Sequence, residues 1–120
     1  MRKIKFRAWS KREKYMYKWK QIHNGNLDDM IADKDIIIRQ YTGLKDKNGK
    51  EIYEGDILEH LKSKHTYKIE WDEESASYYM QGINPAWTGF YFSNHHTEIY
   101  DDDFKIIGNI YENPELLKKK

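Results

Sequence analysis

The sequence predicts an all-β protein, and three observations lead to that prediction. Apolar and polar residues alternate with a period of two along much of the chain, as in strands with one buried face. Turn signals, among them Asn24-Gly25 and Asn48-Gly49, separate these stretches. Only 38% of the residues are hydrophobic and the mean hydropathy is −1.02, whereas 15% are aromatic. We therefore expect a thin core rich in large aromatic rings. In a short chain, such a core is often completed by contacts between copies in an oligomer.

Residues 1–20 predict a basic β-hairpin. Alternating strands at residues 3–9 and 15–20 flank a polar turn at residues 10–14. Nine side chains of this stretch are basic and one is acidic, which gives a net charge of +8. Because the whole chain carries +1, the other 100 residues carry −7. We expect a basic interaction face on the hairpin, formed by Lys3, Lys5, Arg7, Trp9, Lys18 and Lys20.

A short helix and a buried strand are predicted next. Asn26 is a suitable N-cap for a helix over Leu27 to Ala32. Asp28 and Asp29 lie in its first turn, where the helix dipole favours negative charge. The apolar run from Ile36 to Gln40 then predicts a strand.

The most informative stretch of the chain is residues 41–58. Asn48-Gly49 predicts a type I′ hairpin turn, in which both residues have positive φ. Gly55 lies within the following strand, where glycine marks a bulge or a close backbone approach. We expect Asp56 to accept backbone N–H groups and to fix this bend. Asn48, Gly49, Gly55 and Asp56 thus form a structural motif typical of the first strands of small, strongly curved β-barrels.

The remaining residues predict further strands joined by polar turns. The first pair of strands is expected across a turn at residues 62–64, and the last strand carries a bulge at Gly108. Pro114 is well placed in the first turn of a short C-terminal helix that runs to Leu117. The predicted strands are residues 52–61, 66–71, 76–81, 89–92 and 104–111, with a short strand at 98–100 inside a polar loop at 94–103.

Three blocks of the sequence resemble the YopX-like family of phage and prophage proteins. They are residues 1–9, 41–58 and 106–117, in that order. The resemblance implies a mostly β protein with two small all-β parts and a tendency to self-associate. We expect residues 1–44 to form an N-terminal β subdomain that carries the basic hairpin. Residues 45–120 are expected to form an SH3-like β-barrel with a short C-terminal helix or tail. The family implies no activity that can be assigned to individual residues.

Composition excludes several classes of protein. The chain has no cysteine, which rules out disulfides, thiol redox chemistry and zinc ribbons. No apolar run approaches the ~20 residues of a membrane-spanning helix. The basic N-terminus continues as an alternating pattern without the apolar segment of a secretion signal. We expect a protein of the cytoplasm of a bacterial host, without a membrane partner.

Candidate catalytic and metal-binding residues are few. His95-His96, near Asp101 to Asp103, is the cluster that most resembles metal ligands. Adjacent residues of a strand point to opposite faces, so we predict a solvated loop rather than a metal site. Neither a Gly-x-Ser-x-Gly elbow nor a Walker loop is present. Asp56 could be a general base, but the structural role is favoured. We expect no enzyme activity and no cofactor.

The function favoured by the sequence is a non-enzymatic protein-interaction module that acts as a homo-oligomer, with a possible unknown protein partner. The alternative is a small phage-encoded nucleic-acid-binding accessory protein, because basic and aromatic residues interleave in the first hairpin. The pI of about 7.9 is low for such a protein. A third possibility is that the basic face meets acidic surface of the same protein or of a neighbouring subunit. The direction in which this face points separates the possibilities.

Overall fold

The computed structural model describes residues 3–25, 27–84, 86, 89–91 and 104–118. These residues form two antiparallel sheets and a few short helices, and the all-β prediction is confirmed. No helix in the described part of the chain is long and apolar enough to cross a bilayer. The predicted cap at Asn26, the loop at 94–103 and the strand at 98–100 lie outside the described residues.

The first sheet has the strand order β2-β1-β3-β4. Its predicted basic hairpin is present, but the second strand ends at Tyr17 because the chain turns into a helix there. The N–H of Lys18 donates to Gln21 Oε1 at 2.9 Å and holds this first turn. The strands are β1 (Phe6–Ser10), β2 (Tyr15–Tyr17), β3 (Ile36–Lys45) and β4 (Glu51–Tyr53), and the helices between β2 and β3 are α1 (Trp19–Ile22) and α2 (Leu27–Ala32).

The second sheet has the order β8-β7-β6-β5-β9 and is curled into a half-barrel. One apolar cluster fills its concave side, and large rings supply much of it, as expected for a thin core. Its likeness to an SH3-like barrel stays a prediction. The strands are β5 (Asp56–His60), β6 (Thr66–Asp72), β7 (Ser77–Asn84), β8 (Gly89–Tyr91) and β9 (Phe104–Asn109), and the core cluster is Ile52, Leu58, Tyr67, Ile69, Tyr78, Met80 and Phe104.

The predicted single strand over residues 52–61 is wrong, because the chain leaves one sheet and enters the other within it. β4 pairs with β3, whereas β5 pairs with β6 and β9. The crossing point is Gly55, which has φ +96°. Its N–H donates to the carbonyl of Ile69, and its own carbonyl accepts from Ile110, each at 2.9 Å. These two hydrogen bonds attach the turn at Gly55 to the second sheet directly after β4 ends.

The hairpin between β3 and β4 turns at the predicted position but with a different geometry. Gly49 has φ +77°, whereas Asn48 is not in the left-handed region, so the type I′ prediction is wrong. The N–H of Gly49 donates to the carbonyl of Asp46 at 3.0 Å, and the N–H of Asp46 donates to Lys50 at 2.9 Å. This is the pattern of a three-residue loop closed by a G1 bulge, which needs positive φ only at the glycine.

Asp46 ties this hairpin loop to the edge of the second sheet. Its Oδ1 accepts the N–H groups of Asn48 and Lys50, and its Oδ2 accepts that of Ile106, all at 2.9 Å. The N–H of Lys47 donates to the carbonyl of Phe104 at 2.9 Å. Burial alone would raise the pKa of Asp46, but these three donors outweigh it and lower the pKa. The loop is thus part of the packing between the two sheets.

β9 ends in a compact C-terminal turn. The register shifts between Ile106 and Gly108, which places the bulge where the sequence predicts it. A Cβ on Gly108 would lie 2.6 Å from Asn113 Oδ1, so the glycine permits a close approach of the turn. The predicted C-terminal helix is present as a 3-10 helix over Pro114–Leu117.

The boundary between the two predicted subdomains stays a prediction. The β3–β4 hairpin is hydrogen-bonded in the first sheet, but Ile52 belongs to the core cluster of the second sheet and Leu44 packs against it. In terms of strand pairing, the chain changes sheet at Glu54-Gly55 rather than after residue 44.

Candidate functional site: a basic cleft between the two sheets

Both faces of β1 are covered by the protein itself. Alternation along the strand places Phe6 and Ala8 on one face, and there Phe6 contacts Trp19 of α1 with ring centroids 6.0 Å apart. The opposite face carries Lys5, Arg7 and Trp9, the first half of the predicted basic face. This face is directed toward residues 51–56 and the C-terminal turn, as the contacts below establish.

Arg7 makes a buried ion pair with Asp56. The distance from Arg7 Nη2 to Asp56 Oδ1 is 2.7 Å, and the side chains are 13% and 3% exposed. The guanidinium also lies over the ring of Tyr53, 4.9 Å from its centroid. Arg7 Nε is buried without a hydrogen-bond partner among the described residues. Arg7, part of the predicted basic interaction face, thus meets acidic surface of the same protein and joins the two sheets.

Asp56 is placed for this pair by the turn at Gly55. Its Oδ2 accepts the N–H of Tyr53 at 2.7 Å, which is the bend-fixing hydrogen bond expected from the sequence. Burial raises the pKa of Asp56, and Arg7 and the Tyr53 N–H oppose the rise. Burial and the neighbouring Glu51 raise the pKa of Tyr53 to about 12. The Asp56 carboxylate is therefore buried and held by Arg7 and the Tyr53 N–H of the same chain.

A second set of contacts lies beside the first. Arg39 Nε donates to the hydroxyl of Tyr111 at 2.5 Å and lies 4.0 Å from Glu54 Oε2. The ring of Tyr111 stacks on Trp9 with centroids 6.0 Å apart. A Cβ on Gly55 would lie 2.7 Å from Tyr111 Cε2, so only glycine allows this approach. Burial raises the pKa of both Glu54 and Tyr111, with Arg39 opposing in each case.

A cleft of about 960 Å³ opens above the Arg7–Asp56 pair. β1, β2 and α1 form one side, and β9 with the following turn forms the other. Lys5 also lines it and pairs with Glu51 at 2.7 Å. Four further lysines line the cleft, and no carboxylate of the described residues lies within ion-pair distance of any of them. These unpaired lysines are Lys14, Lys18, Lys20 and Lys50. The cleft therefore has a neutralised floor and a positive rim.

Three aromatic rings also line the cleft, and each contacts other side chains of the same chain. Trp19 lies between Phe6 and His23, with centroids 6.0 and 5.6 Å away. Tyr15 meets Tyr17 edge-on at 4.7 Å, and its hydroxyl accepts Gln21 Nε2 at 3.0 Å. The third ring, Tyr53, is covered by Arg7 and by Tyr41, whose centroid is 5.5 Å away.

The predicted basic residues are divided among different surroundings. Lys5 and Arg7 line the floor of the cleft, and Lys18 and Lys20 lie exposed on its rim. Trp9 packs on Tyr111 outside the cleft, and Lys3 is exposed and does not line it.

The sequence did not predict the second side of the cleft. Lys50 follows a turn 43 residues after Arg7, and Ile106 and Ile107 come from the last strand. Their approach depends on the crossing between the sheets, for which Gly55-Asp56 is the one local signal. The predicted solvated cluster at His95-His96 and Asp101 to Asp103 lies outside the described residues. Within the described part, no group of three or more His, Asp or Glu side chains could hold a metal ion.

Comparison with known proteins establishes the family from the sequence and a shared fold from the structure. The model of the YopX protein family matches residues 21–118. The chain belongs to the YopX family. Its fold is similar to the crystal structure of protein EF1440 from Enterococcus faecalis, with a TM-score of 0.62 and 24% sequence identity, over 98% of this chain and 100% of that one. This likeness establishes a shared fold. No curated protein matches the sequence.

Proposed function

We propose that the protein is a non-enzymatic interaction module that uses the basic cleft as its binding surface and acts as a homo-oligomer. The observation that carries this proposal is the contrast between the floor and the rim. Lys5 and Arg7 are neutralised by carboxylates of the same chain, whereas Lys18 and Lys20 are exposed and unpaired among the described residues. Unpaired cations around a concave surface attract an acidic partner.

The state of Asp56 supports a role without chemistry. A general base must reach a substrate proton, but this carboxylate is 3% exposed and held by Arg7 and the N–H of Tyr53. We therefore assign Asp56 to structure. Phage or prophage origin, and a place in the cytoplasm of the bacterial host, are part of the proposal and rest on the family alone.

Exposed apolar side chains support self-association. Ile4 and Ile31 are 62% and 63% exposed, and Trp71 is 43% exposed. Contacts between copies would remove this surface from water. The thin core expected from the composition also supports self-association, because a small chain often gains stability from contacts between copies.

Light scattering on the purified protein at micromolar concentration tests the oligomer. We expect a mass of more than one chain, and a smaller species for the double variant Ile4→Gln/Ile31→Gln. Lys34→Gln, also on the surface of the first part of the chain, is the control and should leave the mass unchanged. A monomeric parent protein would contradict self-association without affecting the cleft.

Nucleic-acid binding is the second candidate function. The cleft places lysines and rings together, which is the combination that holds single strands. Anisotropy of a labelled oligo-dT, measured over a range of salt concentrations, tests it. Tight binding whose logarithm falls steeply and linearly with the logarithm of salt would favour this function over protein binding.

A further inference from the structure

We infer that the basic cleft binds an extended segment of a partner protein in which acidic and apolar side chains alternate. The inference rests on the proposed interaction function and adds the chemistry of the partner. Four properties of the cleft carry it: the different character of its two sides, its neutral floor, the packing of two of its three rings and the closed edge of β9.

The two sides of the cleft differ in charge and polarity. The turn before β2, the N-cap of α1 and α1 itself contribute Lys14, Lys18 and Lys20, respectively. β9 contributes Ile106 and Ile107, which are half-buried, and Ile106 also packs against the core cluster of the second sheet. The hairpin before β4 adds one further cation, Lys50, which has no ion-pair partner among the described residues. Successive side chains of an extended peptide point in opposite directions. A segment lying along the cleft would therefore direct its acidic side chains to the lysines and its apolar side chains to the isoleucines.

Glu112 strengthens this asymmetry. It follows β9, lines the same side as the isoleucines and is exposed, with Oε1 accepting Asn109 Nδ2 at 2.8 Å. A carboxylate at this position repels anionic groups from the isoleucine side. A ligand that is negative on one edge only fits better than one that is negative all round.

The floor and the size of the cleft exclude a small buried anion as the main ligand. Lys5 and Arg7 already have carboxylate partners at 2.7 Å, so the free positive charge is confined to the rim. A volume of about 960 Å³ is near the upper end of the ~300–1,000 Å³ usual for ligand sites. It suits a segment of several residues.

The rings favour a peptide over a nucleic acid. Single-stranded nucleic acids stack their bases on open aromatic faces. Here Trp19 contacts Phe6 and His23, and Tyr53 is covered by Arg7 and Tyr41, whereas Tyr15 is 45% exposed. Bases could stack on Tyr15 but would have to displace the contacts of the other two rings, whereas carboxylates need only the lysine ammonium groups.

On the β9 side of the cleft, recognition must come from side chains, because the edge of β9 is occupied. The carbonyl of Phe104 accepts Lys47 N–H, and the N–H of Ile106 donates to Asp46. At the other end of the strand, the N–H and carbonyl of Asn109 both bond to Asn113. Addition of a strand to this edge, which is a common mode of peptide binding, is thus blocked.

A labelled peptide in which aspartate and valine alternate tests the inference by fluorescence anisotropy. A peptide of the same composition, with the aspartates and valines in two separate blocks, is the sequence control. We expect saturable binding of the alternating peptide and at least about tenfold weaker binding by Lys18→Glu/Lys20→Glu. The matched variant Lys34→Glu/Lys62→Glu changes the net charge equally at exposed lysines outside the cleft and should bind like the parent.

Four outcomes overturn the inference. Equal affinity for the two peptides would show that the cleft recognises negative charge alone and not the alternating order of the residues. Stronger binding of a short oligo-dT than of the peptide would assign the cleft to nucleic acid. A cleft occupied by a second copy would appear as a mass that falls to that of one chain in Lys18→Glu/Lys20→Glu but not in Ile4→Gln/Ile31→Gln. Failure of the peptide to bind while the protein remains an oligomer would remove this partner and leave self-association intact.

Discussion

The two sheets are stabilised by different kinds of contact. The five-stranded sheet encloses a continuous apolar cluster, with Leu58 and Met80 fully buried at its centre. The four-stranded sheet has a smaller apolar interior, which includes Ala8 and Ile22. It docks on the second sheet through several contacts, among them the buried Arg7–Asp56 pair and the hairpin loop at Asp46. A buried ion pair contributes little net stability, but removal of one partner is strongly destabilising because the other charge stays buried without compensation. The first sheet therefore depends on the second for its position, and the cleft exists only while they are docked.

The largest expected effect comes from breaking the pair that docks the sheets. Arg7→Ala leaves the buried Asp56 carboxylate without its partner and should lower the free energy of unfolding by about 3–5 kcal/mol. Lys5→Ala is the control, because the Lys5–Glu51 pair is 26% and 28% exposed and is expected to contribute at most about 1 kcal/mol. Urea unfolding of both variants measures the difference, and similar small losses would show that the sheets do not depend on this pair.

A cavity in the second sheet should destabilise both sheets. Leu58→Ala removes a fully buried side chain and should cost about 2–5 kcal/mol. If the first sheet depends on the second, circular dichroism and tryptophan fluorescence will follow one coincident transition in the parent and in the variant. Two separate transitions would mean that the four-stranded sheet folds by itself, contrary to the comparison.

Two glycines with positive φ, Gly49 in the hairpin loop and Gly55 at the crossing between the sheets, should respond differently to alanine. A Cβ added to Gly49 would have no neighbour within 4 Å. Gly49→Ala should therefore lower the free energy of unfolding by the backbone strain alone, about 1–2 kcal/mol. Gly55→Ala adds a Cβ 2.7 Å from Tyr111 and should cost more. Thermal unfolding measures both variants, and equal losses would mean that Tyr111 moves away freely and does not hold the sheets together.

A pH dependence is expected at the hairpin loop. The pKa of Asp46 is lowered below its ordinary value of 3.8, so its carboxylate stabilises the fold above that value, and this contribution is lost as pH falls through the folded pKa. Asp46→Asn should be about 1–3 kcal/mol less stable than the parent near neutral pH, because Ile106 N–H loses an ionised acceptor. The gap should close below the ordinary pKa. Glu73→Gln, at an exposed turn, is the control for urea unfolding at each pH, and a gap independent of pH would contradict this role.

Local signals in the sequence were read correctly where neighbouring residues decide the structure. The helix over Leu27–Ala32 and the 3-10 helix at Pro114–Leu117 follow from charge placement and from proline, and the bulge at Gly108 follows from glycine. The hairpin at Gly49 was located, but its turn type was wrong. Both turn types place glycine in the left-handed region, and the hydrogen bonds of Asp46 decide between them.

The basic face shows the limit of such local reasoning. Alternation places Lys5 and Arg7 on one side of β1, but it does not decide between an external partner and acidic surface of the same protein. The acidic residues that neutralise them, Glu51 and Asp56, are more than 40 residues away in sequence. Asp56 was recognised as structural from the Gly-Asp turn, but nothing near it indicated Arg7 as its partner.

The sequence by itself determined the fold class, most of the strands and the uneven distribution of charge, because periodicity, turn chemistry and charge are properties of neighbouring residues. The tertiary structure decided which cations are neutralised and which remain free. That choice depends on the crossing at Gly55, which carries the chain from one sheet to the other and brings Asp56 against Arg7. Ion pairs and clefts form between segments distant in the chain, so only the packed fold divides the basic hairpin into a buried joint and an exposed rim.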